Sequence, residues 1–146
     1  MSDSNKSNND SDMTTTTDKV FKEIRVVIVD DSDLSRREIG RALEKEKISV
    51  VGEASNATES MAILQASKAH IAIVDVVMPD VSGIELVRKI HETFPKMFTI
   101  VISSLGHQQV VLDAISAGAS DFLHKPFSKQ ILVNSIFKIA SQIEEE

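Results

Sequence analysis

The sequence predicts an α/β fold in which five parallel strands form one doubly wound sheet with helices on both faces. Short aliphatic runs alternate five times with segments of helical periodicity, which is the pattern of repeated strand–helix units. The runs are continuous rather than alternating between apolar and polar residues, as expected for strands covered on both faces. The length of 146 residues fits a single domain, and a hydrophobic content of 42% is enough to form a core.

Each predicted strand is a short run of mainly aliphatic residues. The first run, IRVVIV, stops at a pair of aspartates, and the second reads ISVVGE. The third run stops at Asp75, the fourth stops at Ser103, and the fifth leads towards Lys125. The predicted strands cover residues 24–29, 48–53, 71–74, 98–102 and 120–123.

Each predicted helix follows a strand and carries apolar residues three or four positions apart. Ser32 is a suitable N-cap for the first helix, and Asn56 or Ser55 lies near the start of the second. Pro95 closes the third helix and Gly118 the fourth, because both residue types terminate helices. The predicted helices cover residues 34–46, 58–67, 84–94, 108–117 and 132–143.

The composition argues against several classes of function. A net charge of −6 speaks against sequence-independent binding to nucleic acid or to a membrane surface, because both need a cationic face. The absence of cysteine excludes disulfides, thiolate metal sites and cysteine nucleophiles. No apolar run approaches the roughly 20 residues of a membrane span, and the N-terminus lacks an export signal. We therefore expect a soluble cytoplasmic protein in which the polar residues 1–22 form a disordered tail.

Polar side chains of the types that serve in binding and catalytic sites lie where the predicted strands end. Asp30 and Asp31 follow the first strand, Asp75 ends the third, Ser103 ends the fourth, and Lys125 follows the fifth. Ligands bind outside the carboxyl ends of the strands in open doubly wound sheets. Any one of these residues alone is better explained as a helix cap, a turn residue or a solvated charge. Their joint occurrence predicts a shared site.

Three carboxylates at close quarters repel one another and call for a counter-charge. Oxygen ligands favour a hard divalent ion, Mg²⁺ with Mn²⁺ as an alternative. Lysine and serine side chains beside such an ion suit the oxygens of a transferred phosphoryl group, and an aspartate is an accepted nucleophile for that group. The sequence has no Gly-rich Walker loop, so a nucleoside triphosphate is not the obvious phosphoryl donor.

Four segments carry a resemblance to a known family: RVVIVDDSDLSRR, AIVDVVMPDVSGIELVRKI, IVISSLGHQQ and AGASDFLHKPF. They resemble the response-regulator receiver domains of two-component signalling, and most of all the stand-alone chemotaxis regulators of the CheY type. The spacing agrees with that family, with 44 positions from Asp31 to Asp75, 28 more to Ser103 and 22 more to Lys125. The resemblance implies a flavodoxin-like (CheY-like) sheet with strand order 2-1-3-4-5, and a receiver domain over residues 23–146.

The resemblance also implies a role for each residue of the acidic site. Asp75 would be the phosphoacceptor that receives a phosphoryl group from a histidine kinase. Asp31 would bind Mg²⁺ directly, Asp30 would hold a metal-bound water, and the backbone carbonyl of Val77 would be a further ligand. Ser103 would donate its hydroxyl to the phosphoryl oxygens.

The fifth strand would supply the remaining elements of the site and of a conformational switch. Lys125 would pair with the phosphoryl group, and Pro126 would follow a cis peptide bond. Phe122 would be the aromatic switch residue, working with Ser103. Val77 and Leu105 occupy positions that tune phosphoryl lifetime in the family, and both are apolar here, which predicts slow hydrolysis.

The resemblance implies two kinds of partner, a histidine kinase and a downstream protein. The downstream protein would be a motor switch component, a phosphatase or a phosphotransfer protein, docked on the face of helix four, strand five and helix five. We expect the protein to be a monomer or a weak dimer. We also expect it to be a phosphoacceptor that catalyses its own phosphorylation and dephosphorylation, rather than an enzyme.

Three alternatives to a chemotaxis switch stay open at this point. A phosphorelay intermediate would pass the phosphoryl group to a second histidine. A haloacid-dehalogenase-type phosphatase would also use Mg²⁺ and an aspartyl nucleophile, but its Asp-x-Asp motif is matched only superficially by Asp31 and Asp33. A degenerate receiver used purely as an interaction module would be expected to have lost part of its acidic site.

Overall fold

The computed structural model describes residues 23–143, and within this range the chain forms a five-stranded parallel sheet flanked by helices. The strands are β1 (Arg25–Val29), β2 (Ser49–Ala54), β3 (Ile71–Asp75), β4 (Phe98–Ser103) and β5 (Asp121–His124). The helices are α1 (Asp33–Lys45), α2 (Ala57–Ser67), α3 (Gly83–Thr93), α4 (Gln108–Ala117) and α5 (Lys129–Ala140). The strand order is β2-β1-β3-β4-β5, which confirms the predicted fold.

The core lies in two layers, one on each face of the sheet. Alternate residues of each strand point to opposite faces, so that Val26 and Ile28 contact one layer while Val27 and Val29 contact the other. The first layer is completed by α1 and α5, and the second by α2, α3 and α4. Strands β1, β3 and β4 are almost wholly buried, whereas the edge strands β2 and β5 are only partly covered.

The starts of α1 and α2 are fixed by side-chain caps. The Ser32 hydroxyl accepts a hydrogen bond from the backbone N–H of Ser35, which confirms the predicted cap of α1. Asn56 rather than Ser55 caps α2, because its side-chain oxygen accepts from the N–H of Glu59. These caps set where α1 and α2 begin and therefore how the loops before them leave the sheet.

Two predictions concern parts of the chain at its ends. The predicted disordered tail over residues 1–22 lies outside the described residues, as do residues 144–146, so the domain boundary stays a prediction. Over residues 23–143, none of the helices combines the length and the apolar character needed to span a membrane.

Candidate functional site

The structure brings the five predicted site residues to one edge of the sheet. Asp30 and Asp31 follow β1, Asp75 is the last residue of β3, Ser103 is the last residue of β4, and Lys125 follows β5. Because the strands are parallel and β1, β3, β4 and β5 are successive neighbours in the sheet, their carboxyl ends lie side by side. The topology therefore assembles the site from residues that are far apart in the chain.

Three carboxylates form the centre of this edge. Asp30, Asp31 and Asp75 each offer one oxygen, and these oxygens lie within 4.8 Å of one another. Asp30 and Asp75 are buried, while Asp31 is exposed. Burial, assisted by the charge of Asp30, raises the pKa of Asp75 to about 6. Closely spaced carboxylates that repel one another in this way are a set of oxygen ligands that fits a hard divalent cation.

Asp30 is held by three donors. Its Oδ1 accepts from the backbone N–H of Ser32 at 2.9 Å, and its Oδ2 accepts from the Ser35 hydroxyl at 2.7 Å. The Lys125 ammonium donates to Oδ2 at 2.9 Å and lies 3.8 Å from Oδ1 of Asp75. Lys125 thus pairs mainly with Asp30 while remaining within reach of Asp75.

Ser103 is fully buried, and its hydroxyl accepts a hydrogen bond from the backbone N–H of Leu105 at 2.9 Å. Its backbone carbonyl accepts from the N–H of Lys125 at 2.8 Å, which ties β4 to the start of the segment after β5. In this arrangement the hydroxyl is engaged with the loop between β4 and α4.

The two remaining predicted switch residues are Phe122, in β5, and Pro126, just after it. The peptide bond between Lys125 and Pro126 is cis, as the family resemblance implies. Phe122 is half-buried and packs against the core layer completed by α2, α3 and α4. Its ring therefore lies on the same side of the sheet as α4.

The loop between β3 and α3 borders the acidic cluster. The side chain of Val77 is 54% exposed, so its apolar group stands at the surface next to Asp75. Gly83 N–H donates to the Val76 carbonyl at 2.8 Å and closes the base of the loop. A Cβ at Gly83 would lie 2.0 Å from the Asp75 carbonyl oxygen, so only glycine permits this approach.

Apolar side chains are also exposed elsewhere around this end of the domain and on α4. Leu105 is 37% exposed in the loop between β4 and α4. On α4, Leu112 and Ile115 are 51% and 49% exposed, three positions apart and therefore on one side of the helix. Exposed aliphatic residues at this spacing are compatible with a docking surface.

Sequence reasoning missed two side chains that the structure ties to this region. Ser35 bonds to Asp30, and Asp80 connects the β3–α3 loop to the start of α2. Ser35 lies five positions from Asp30, and a serine in the first turn of a helix is too common to single out from sequence. Apart from the neighbouring Val81 N–H, the bonding partners of Asp80 are more than 20 positions away in the chain.

A comparison with family models matches residues 26–137 to the response regulator receiver domain. The chain belongs to the response regulator receiver domain family. Receiver domains are phosphoacceptors rather than classical enzymes, and this assignment agrees with the acidic cluster and the lysine found at one edge of the sheet.

Three comparisons illustrate how close this receiver domain is to known proteins. It is 35% identical to the chemotaxis protein CheY of Thermotoga maritima over 116 residues, which cover 80% of this chain and 97% of that protein. It is 33% identical to CheY of Bacillus subtilis over 114 residues, which cover 78% of this chain and 95% of that protein. A crystal structure of a CheX–CheY complex with BeF₃ and Mg²⁺ from Borrelia burgdorferi matches with a TM-score of 0.76 and 25% identity, covering 80% of this chain and 88% of that one.

These similarities bear on the alternatives raised by the sequence. The family match and the CheY relatives support a single-domain regulator of the chemotaxis type. They favour neither a haloacid-dehalogenase-type phosphatase nor a phosphorelay intermediate.

Proposed function

We propose that this receiver domain is a phosphorylation-dependent switch of the chemotaxis type that accepts a phosphoryl group on Asp75 from a histidine kinase. A carboxylate oxygen of Asp75 forms a bond to phosphorus while the bond between phosphorus and the donor histidine nitrogen breaks. The departing imidazole takes a proton from water, and an acyl phosphate is left on Asp75. The observation that carries the proposal is the position of Asp75, buried at the end of β3 among two further carboxylates and Lys125.

We assign the metal site to Asp30, Asp31 and Asp75, with the Val77 carbonyl as a further ligand. The bound cation, Mg²⁺ or in its place Mn²⁺, would supply positive charge against the phosphoryl oxygens. The support is the close approach of the three carboxylates and the raised pKa of Asp75. The CheY of the CheX–CheY complex was itself crystallised with Mg²⁺ and BeF₃.

Lys125 and Ser103 would recognise the new phosphoryl group. Lys125 lies 2.9 Å from Asp30 and 3.8 Å from Asp75, so a small movement exchanges one carboxylate for the phosphoryl oxygens. Ser103 would give up its bond with the Leu105 N–H and donate its hydroxyl to the same oxygens. Both residues would thus replace a hydrogen bond within the protein by one to the more highly charged phosphoryl group.

The switch follows from the space that Ser103 vacates. As the Ser103 side chain moves, the ring of Phe122 would turn inward and Pro126 would hold the lysine segment in place. The change would reshape the face formed by α4, β5 and α5, a two-state element biased by charge. The exposed Leu112 and Ile115 support this face as the docking surface for a downstream protein.

The downstream partner would be a motor switch component, a phosphatase or a phosphotransfer protein, and the receiver itself a monomer or a weak dimer. The related structure is a complex of a CheY with a second protein, CheX, which supports a protein as the downstream partner. We also place the protein in the cytoplasm, on the sequence grounds given above.

Loss of the phosphoryl group would complete the cycle. Water attacks phosphorus, the bond to the Asp75 oxygen breaks, and inorganic phosphate leaves with the carboxylate restored. Val77 and Leu105 would shield the acyl phosphate from this water, since both stand partly exposed on loops at the mouth of the site. We therefore expect slow autodephosphorylation.

The proposal is tested by incubating the protein with acetyl phosphate and Mg²⁺ and measuring its intact mass. We expect a gain of one phosphoryl group that needs Mg²⁺ and is absent in Asp75→Asn. The matched control is Asp113→Asn, which removes a carboxylate on α4 outside the acidic cluster and should leave the gain in mass unchanged. An equal gain in Asp75→Asn, or none in the parent protein, would refute the assignment.

A further inference from the structure

The tip of the β3–α3 loop is bonded to the start of α2 by one side chain, Asp80. Its Oδ1 accepts from the backbone N–H of Ala57 at 3.1 Å. Its Oδ2 accepts from the backbone N–H of Thr58 at 2.9 Å and from the Thr58 hydroxyl at 2.7 Å. A single carboxylate therefore makes three hydrogen bonds to residues 22 and 23 positions earlier in the chain.

The environment of Asp80 suits a permanent negative charge. The first turn of a helix presents free backbone N–H groups and the positive end of the helix dipole, and both favour an anion. The hydrogen bonds from Thr58 and Ala57 hold the pKa of Asp80 well below its usual range. The link is therefore present throughout the neutral pH range.

The loop that Asp80 fastens begins at the acidic site. Its base is closed by the bond from the Gly83 N–H to the Val76 carbonyl, where Gly83 also packs against the Asp75 carbonyl. Val77 lies between that base and the tip held by Asp80. The position of the Val77 backbone is thus set from two sides, by the sheet at the base and by α2 at the tip.

We propose that Asp80 is a positioning residue of the metal site, which fixes the Val77 carbonyl by fastening the β3–α3 loop to the first turn of α2. This inference rests on the proposed function, in which that carbonyl is a ligand. Without the bonds from Asp80 the loop keeps its closed base and the packing of Met78 against the core, but it loses its link to α2. Binding the cation must then also fix the freed part of the loop. That ordering costs conformational entropy, so the affinity for the cation falls.

A purely structural role for Asp80 makes a different prediction, and the chain offers a control for it. Asn56 caps the same helix in the same turn, where its Oδ1 accepts from the Glu59 N–H at 2.8 Å. Unlike Asp80, Asn56 belongs to the loop that leads into α2 rather than to the loop that contains Val77. Asn56→Ala therefore weakens the start of α2 without releasing the β3–α3 loop.

The test is the affinity for Mg²⁺, measured by calorimetric titration of each variant at a temperature where thermal melts show it to be fully folded. Asp80→Ala should weaken binding by about 3- to 10-fold, at or below the range usual for residues that support metal ligands. Thr58→Val keeps the charge of Asp80 and removes one of its donors, so it should weaken binding by a smaller factor of about 2. Asn56→Ala should bind like the parent protein.

Two outcomes would overturn the inference. One is that Asp80→Ala binds Mg²⁺ like the parent, and the other is that Asn56→Ala weakens binding as much as Asp80→Ala. Failure of the proposed function is recognised separately, because the parent and Asp31→Asn would then bind Mg²⁺ alike. That result would remove the metal site and, with it, the role given to Asp80.

Discussion

Replacing Asp75 with asparagine tests the electrostatics of the acidic cluster through the stability of the folded protein without metal. Burial and the charge of Asp30 raise the pKa of Asp75 from 3.8 to about 6. A group whose pKa is raised on folding contributes stability below its unfolded value, and this contribution is lost as the pH rises through the folded value. The ionised Asp75 therefore destabilises the metal-free protein at neutral pH.

The magnitude follows from the size of the shift. A rise of about two pKa units, at about 1.4 kcal/mol per unit, gives about 3 kcal/mol at pH 7 and about half of this at pH 5. The substituted asparagine would carry no charge but would lose the attraction to Lys125, so we expect Asp75→Asn to raise the free energy of unfolding by about 1 to 3 kcal/mol at pH 7. The gain should shrink steadily between pH 7 and pH 4.

The assay is urea denaturation followed by far-ultraviolet circular dichroism, in EDTA, across this pH range. Saturating Mg²⁺ should stabilise the parent more than Asp75→Asn and so reduce or reverse the difference between them. Asp113→Asn serves as the control and should show no comparable gain. The reasoning is refuted if Asp75→Asn is less stable than the parent at pH 7 in EDTA, or if its gain is the same at pH 5.

Three further predictions address the rest of the domain. Burial lowers the pKa of His91, so the contribution of His91 to stability should fall as the pH drops below 6.5; in denaturation series His91→Gln should gain stability relative to the parent on acidification, and an unchanged difference would contradict this. Val77→Asn combined with Leu105→Glu should shorten the phosphoryl lifetime several-fold in a phosphate-release assay, whereas an unchanged rate would remove their shielding role. Leu112→Ser should weaken binding of the phosphorylated protein to its downstream partner by about 10-fold in a pull-down titration, and undiminished binding would exclude α4 from the interface.

The sheet and the cluster of carboxylates were predictable because both depend on short-range patterns. Aliphatic runs marked the strands, and in a parallel sheet the residues that end the strands must meet at one edge. These patterns therefore predict that Asp30, Asp75 and Lys125 share one site. The burial of the two aspartates and the distances from Lys125 to both agree with that assignment.

The supporting contacts could not be predicted in the same way. The link from Asp80 to Thr58 joins the β3–α3 loop to the first turn of α2 through a carboxylate whose partners are set by tertiary packing, and no periodic pattern in the sequence predicts it. The bond from Ser35 to Asp30 depends on the orientation of α1 relative to β1. The direction of the Ser103 hydroxyl, towards Leu105, is a choice between rotamers that the residue type alone does not decide.

The central claim is that one particular carboxylate forms the acyl phosphate, and peptide mapping after chemical trapping tests it most directly. The protein is treated with acetyl phosphate and Mg²⁺, reduced with borohydride, which converts an aspartyl phosphate to homoserine, and digested for mass spectrometry. We predict homoserine at position 75 alone. Homoserine at Asp30 or Asp31, or phosphate retained on a different side chain with position 75 unchanged, would contradict the account.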